Sequence, residues 1–286
     1  MNPADLLLVG VTQGCIYGLI AMGFVLIYKS SEMINFAQGD LAVLGAFLCM
    51  TFMDSGLGFG GAFGISILVM FALAILLEIF LIRKLHGHPH FTVVILTIAL
   101  GLVLRAIIGI VWGYEPRSVT LPIPSHISVF GDSWELGPMV LVSSTVLLCV
   151  LLGLFFKTKW GLALKAASQN QLAAYYVGIP VRGLYSLSWG IAAIVATVAG
   201  ILLASNVMID PHTGFIGIKA FAAAVIGGLG SLPGAMIGGI VVGIVEQFAG
   251  SFLPAGSQEI AAYVMMLLIL LIKPHGLISQ IQLKKA

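Results

Sequence analysis

The chain has 286 residues, 60% of them hydrophobic and only 8% charged, with a net charge of +2. Soluble domains carry about 25% charged residues, so the composition excludes a soluble fold, and the small net charge gives no sign of a nucleic acid partner. It points to an all-α, polytopic transmembrane helical bundle, a single domain over 1–286.

A span needs about 20 apolar residues. In chain order the apolar segments are 6–28, 33–53, 60–82, 91–113, 137–156, 184–206, 217–230, 233–251 and 258–273, which gives eight to nine membrane segments. The first follows MNPAD, with no positive n-region and no small-residue cleavage site after it, and reads as a retained span rather than a signal peptide. Cys15, Cys49 and Cys149 sit in apolar runs and imply no disulfide framework.

The second segment opens with Asn35-Phe36-Ala37-Gln38-Gly39-Asp40. Asn35 and Gln38 have capping-box spacing, which predicts a helix from about Phe36, starting just inside the cytoplasmic leaflet. Its positive dipole end and Gly39, with Asp40 one turn further in, suit an anion at the helix start and an ammonium near the carboxylate, the two ends of an amino acid zwitterion. The plainer reading is that Asn35 caps and Asp40 caps or pairs in a tight turn. After the third segment, Arg83-Lys84 precedes His86, His88 and His90. Alternating His can ligate metal in an extended strand, but without Cys or carboxylate support the run reads as a polar turn, and no metal site is expected.

In the fourth segment Arg105 lies about 12 Å from the outer end at 1.5 Å per residue. Such a charge is paired or faces water. Glu246, at similar depth, is the favoured partner, with pathway lining or snorkelling as the other readings. The loop 114–136, with Pro116, Pro122, Pro124 and the adjoining Pro138, reads as a stiff surface lid.

The loop 157–183 is the longest strongly polar stretch. Gly161 to Val177 reads as one short helix at the membrane surface, with Gly178 at its C-terminal glycine position and Pro180 beyond, where a helix cannot continue. A plain connector would not need about four turns of helix, so a docking element is the favoured reading. Further on, Gly230-Ser231-Leu232-Pro233-Gly234 separates two short segments that are either thin spans or a re-entrant pair. Gly230, Gly234 and Gly238 are spaced at four, which suits tight helix packing or a gate.

Ten Lys and Arg residues fall on one side (29, 83, 84, 157, 159, 165, 182, 273, 284 and 285) against Arg117 and Lys219 on the other. The N-terminus is therefore outside, and the 157–183 loop and C-terminus cytoplasmic. The units 6–53 and 184–251 echo one another with opposite direction, as in inverted repeats. There is no phosphate-binding loop, H-E-x-x-H, C-x-x-C or G-x-S-x-G. The in-span ionisable residues Asp40, Glu78, Arg105 and Glu246 are scattered over four segments, so catalysis is disfavoured and transport powered elsewhere is favoured.

The stretch Ala173-Ala174-Tyr175-Tyr176-Val177-Gly178 resembles the A-A-x-x-x-G core by which permeases of ATP-binding-cassette importers dock on their ATPases. The longer run GLALKAASQNQLAAYYVGIPV is similar to that of branched-chain amino acid permeases, the smaller of their two membrane subunits. N-F-A-Q-G-D resembles the N-x-A-x-G-[DE] signature of the same family, and KAFAAAVIGGLGSLPGAMIGG its Gly-rich segment. Together these cover about Gly14 to Gly276. Where many importer permeases open the docking loop with glutamate this chain has Leu172, which weakens any specific salt contact there.

The resemblance implies an inner-membrane permease subunit for leucine, isoleucine or valine, with Lys165, Ala173, Ala174 and Gly178 in the docking element. It also implies a second, related permease subunit, two cytoplasmic ATPases that use ATP and Mg, and a periplasmic binding protein. No cofactor is expected on this chain itself. Urea, amides or other amino acids remain alternative cargoes. An ion-coupled secondary transporter, a channel and an intramembrane enzyme are the rival classes.

Overall fold

A computed structural model describes residues 3–85, 89–122, 126–129 and 132–278. His86 and His88 of the alternating run lie outside them. The chain forms eleven helices among those residues. They are α1 (Pro3–Ser31), α2 (Gln38–Asp54), α3 (Phe59–Leu77), α4 (His90–Trp112), α5 (Leu136–Phe155), α6 (Lys159–Gln169), α7 (Gln171–Tyr176), α8 (Val181–Asn206), α9 (Ile216–Gly227), α10 (Leu232–Phe252) and α11 (Ser257–Ile272). The part of the 114–136 loop that is described is not all irregular. Strands β1 (His126–Val129) and β2 (Asp132–Glu135) pair antiparallel, a small exception to the all-α expectation.

Six helices are long and apolar enough to cross a membrane: α1, α3 with its extension to Leu85, α4, α5, α8 and α10. They divide by burial. In α8, 83% of the most apolar stretch is covered by the rest of the chain and in α1 72%, whereas the figures for α3 and α5 are 28% and 17%, so α8 and α1 form the core and α3 and α5 lie at its periphery.

The most extensive packing joins α1 to α10. A Cβ on Gly14 would lie 2.6 Å from the Ile240 Cα, and one on Gly10 would lie 2.9 Å from the Ile244 Cα. One on Gly239 would run into the backbone of Gly18 and Gly14. Small residues are required where backbones touch this closely. Gly234 and Gly238 also pack closely, against the backbone of Gly227 in α9. Gly230 does not: a Cβ there meets nothing within 4 Å, so the spacing of four continues beyond the contact. Gly239→Ala is therefore expected to cost about 1–3 kcal/mol by overpacking, while Gly230→Ala costs nothing measurable. Thermal unfolding of the two variants in detergent checks this, and equal melting would contradict the seam.

α1 stops where Ser30 and Ser31 turn their hydroxyls back onto the Ile27 carbonyl (2.8 and 3.0 Å). Glu32 then takes φ +56, a left-handed conformation that costs a non-glycine residue energy. The chain runs extended back into the bundle. Gly23 of α1, about 12 Å above Ser31 at 1.5 Å per residue, packs against the Gln38 side chain at the start of α2. So α2 begins well inside the bundle and not at its edge. The second half repeats this in reverse. After α8 the chain re-enters through a 3-10 turn, Pro211–Phe215, and α9 begins deep in the bundle. With 12 residues α9 is about 18 Å long, too short to cross alone. Each unit thus holds a broken segment whose helix starts mid-bundle, as the echo in the sequence suggested.

Candidate functional site

The starts of α2 and α9 meet. A Cβ on Gly39 would sit 2.7 Å from the Gly217 nitrogen, and one on Gly217 would sit 2.9 Å from the Gly39 nitrogen. This reciprocal approach brings two positive helix ends together. Asp40 is the anion between them. Its carboxylate fills space left by Gly214 and Gly101 and accepts two bonds from Arg105, from Nε at 3.1 Å and from a terminal nitrogen at 2.9 Å. Both side chains are largely buried, at 5% and 12% exposure. The guanidinium carbon lies 3.7 Å from the centre of the half-exposed Phe215 ring, a cation–π contact.

The Asn35 loop is fastened below. The Asn35 side-chain oxygen accepts from the Ala37 N–H (3.1 Å), and its amide donates to Gln38 (3.3 Å). Gln38 in turn donates to the Ala192 carbonyl of α8 (3.0 Å). Asn35 and Gln38 do not form the expected capping box, and α2 starts at Gln38, two residues later than predicted. The reason is that Gln38 reaches across to α8 instead of back to Asn35's backbone. A true capping box forms at Asp210 and Thr213, where each side chain bonds the other's backbone N–H (2.8 and 2.9 Å).

The expected Arg105–Glu246 pair is not formed. α4 packs on α2 and on the 3-10 turn, while α10 packs on α1, α9 and α11, so equal depth did not mean adjacency. Glu246, 1% exposed, accepts from the Tyr17 hydroxyl (2.6 Å) and lies 3.1 Å from Lys219. Lys219, assigned by sequence to the outer surface, is thus an in-bundle residue of α9. Glu78, also in-span, pairs with Arg83 five residues on (2.6 Å) and accepts from Ser186 of α8 (2.6 Å). A π turn over Glu78–Ile82 puts the two on one face. Phe215, Tyr17 and Lys219 are partners that sequence reasoning missed. For Lys219 the signal was available, since a second in-span charge of opposite sign lay within the same half of the chain as Glu246.

At the end of the bundle that carries the 157–183 loop there are two helices, α6 and α7, not one. Asn170 breaks them. It is extended (φ −154, ψ 102), and its side chain caps α7 by accepting from the Ala173 N–H (2.9 Å). Thr158 caps α6. Gly178, with φ +81, closes α7 in a Schellman motif. The Ile179 N–H reaches the Ala174 carbonyl and the Gly178 N–H the Tyr175 carbonyl, both at 3.0 Å. Ala167, Ala174 and Leu184 form a separate small core that seats the loop on the start of α8. Leu172, Tyr175, Tyr176 and Val177 are left 70 to 83% exposed, an apolar rim unlike a solvated connector. Lys165 is on α6, Ala173 beside the cap and Ala174 in the small core, so the sequence-predicted docking residues do gather here. Among the described residues no cluster of three or more metal-ligating side chains occurs.

With this geometry in hand, the chain matches the family described as branched-chain amino acid transport system, permease component, over residues 6–273. It is 31% identical to the high-affinity branched-chain amino acid transport system permease protein LivH of Escherichia coli, covering 96% of this chain and 95% of that one. It is 30% identical to BraD of Pseudomonas aeruginosa with the same coverage. With the probable branched-chain amino acid permease LivH of Methanocaldococcus jannaschii the identity is 32%, over 91% and 87% of the two chains. Among solved structures it superposes on a chain of PsaBC from Streptococcus pneumoniae in complex with Fab, with TM-score 0.51 and 16% identity over 96% of this chain and 93% of that one, a likeness of fold.

Proposed function

The chain belongs to the family of branched-chain amino acid transport permeases, and from that premise we propose that it is the membrane conduit of an ATP-binding-cassette importer for leucine, isoleucine and valine. It is an inner-membrane protein with helices able to span the bilayer. The observation that carries the importer reading is the α6–α7 element: a capped, Schellman-closed pair with an exposed apolar rim, seated on the most buried span. A separate ATPase gripping that rim would move α8 directly.

The finer reading follows. Nine passes serve one domain, two of them the broken segments ending in α2 and α9. The N-terminus is outside and the α6–α7 end cytoplasmic, as the Lys and Arg distribution argues. Partners are a second related permease, two ATPases that use ATP and Mg, and a periplasmic binding protein; this chain itself binds no cofactor. Lys165, Ala173, Ala174 and Gly178 form the docking element. Asn35, Gln38, Gly39, Asp40 and Arg105 hold the mid-bundle junction beside the pathway, Glu246 braces α10 against α1 and α9, and Gly234 and Gly238 pack while the uncrowded Gly230 is a hinge between α9 and α10.

The test is reconstitution. The complete set of subunits in proteoliposomes is expected to accumulate leucine, isoleucine and valine only with ATP and the binding protein, and this permease alone to accumulate nothing. Uptake by this chain alone under an ion gradient would replace the reading with a secondary transporter. Uptake of urea or amides in preference to leucine would replace the cargo.

A further inference from the structure

A cleft of about 860 Å³ opens at the α6–α7 end of the bundle. The end of α1 and α6 contribute Lys29, Glu32 and Lys165 to it, and α9 and α11 contribute Phe221, Val225, Met266 and Leu270. Charges of both signs therefore share one cleft with an aliphatic and aromatic wall. Yet among the described residues no ion pair joins Glu32 to either lysine. Lys29 rests its ammonium 5.4 Å from the Phe156 ring, and Glu32 is exposed.

The backbone at Glu32 is itself unusual. It is the one non-glycine residue with positive φ among the described residues, at +56. Glycine would occupy that position without strain. Its N–H still bonds the Tyr28 carbonyl (2.7 Å), so this left-handed residue is the closing turn of α1, and it places Glu32 on the cleft wall beside Lys29.

We propose that this cleft is an inner binding site for the cargo, taking an α-amino acid zwitterion with a branched aliphatic side chain. Lys29 and Lys165 take the α-carboxylate, Glu32 takes the α-ammonium, and Phe221, Val225, Met266 and Leu270 receive the side chain. The inference rests on the importer reading above and names the place where that cargo pauses before leaving. It also gives α6 a direct part in release, because the helix that carries Lys165 is both a wall of the cleft and part of the docking element.

The experiment is equilibrium binding to the complete detergent-purified transporter, without ATP and without binding protein. The probes are leucine, isocaproate (leucine without its amine) and isoamylamine (leucine without its carboxylate). The wild type is expected to prefer leucine over each analogue by about two- to fivefold, the worth of one solvated charge contact. Glu32→Gln is expected to abolish the preference over isocaproate and keep the preference over isoamylamine; Lys29→Gln is expected to do the reverse. A merely structural role for either residue would not move the two preferences in opposite directions. Glu32→Gly separates strain from binding: it is expected to raise the Tm by about 2–4 °C while losing the preference over isocaproate.

Unchanged preferences in both charge variants would overturn the site. So would a bound phospholipid, detected by native mass spectrometry, that leucine fails to displace. Leucine uptake by the wild type in proteoliposomes keeps the two levels apart. No branched-chain uptake at all sinks the importer reading, whereas normal uptake with unchanged preferences sinks only the cleft.

Discussion

Arg105→Leu is expected to destabilise the protein by about 3–5 kcal/mol, because it strands the Asp40 carboxylate in a buried site. The side chain at stake is 5% exposed, and no water-filled route to it is needed for the argument. Asp40→Ala is expected to cost a similar amount for two reasons. It strands the guanidinium under Phe215, and it removes the anion from between two converging helix starts. The double variant is expected to recover part of the loss, since it removes both uncompensated charges, but not all, because the helix ends then face each other without a counter-charge. Thermal unfolding of the four proteins in one detergent forms the double-mutant cycle. Strictly additive losses would mean that the two residues do not act on each other.

Gly178→Val is expected to cut uptake about tenfold while ATP hydrolysis by the assembled complex continues. The physical cause is isolated by the structure. A Cβ at Gly178 meets nothing within 4 Å, so the substitution adds no clash. Only the backbone is penalised, by about 1–2 kcal/mol for a left-handed residue and more when it is β-branched. That is enough to favour unwinding of the Schellman turn, which would let α7 turn without carrying α8; a tenfold change corresponds to about 1.4 kcal/mol. Gly178→Asn, which tolerates the same conformation, should retain most of the coupling. If the valine variant assembles and transports like the wild type, the closing turn of α7 does not transmit the movement.

What the sequence revealed and what it hid have separable physical causes. Apolar length found the six helices long enough to cross, because burial in lipid needs it whatever the neighbours are. Gly178 was legible because positive φ is a local demand. The broken segments showed through as an echo of polar interruptions at Asn35 and near Asp210. Pairing was not legible. Arg105 could be given a depth but not a neighbour, and the choice of Glu246 over Asp40 failed because helix order around the bundle is a tertiary property. The break at Asn170 was missed for a different reason: Asn caps are recognised at the front of a helical run, and this one interrupts a run that reads as continuous. Glu32 carried no signal at all, since φ is invisible in a residue whose type does not advertise it.

The glycine seam has a mechanical consequence. Where α1 and α10 touch backbone to backbone, there are no side chains to repack, so the two cannot ratchet past each other in rotamer-sized steps. The two therefore move, if they move, as one rigid body, and the backbone contacts of Gly234 and Gly238 with Gly227 tie α9 to it.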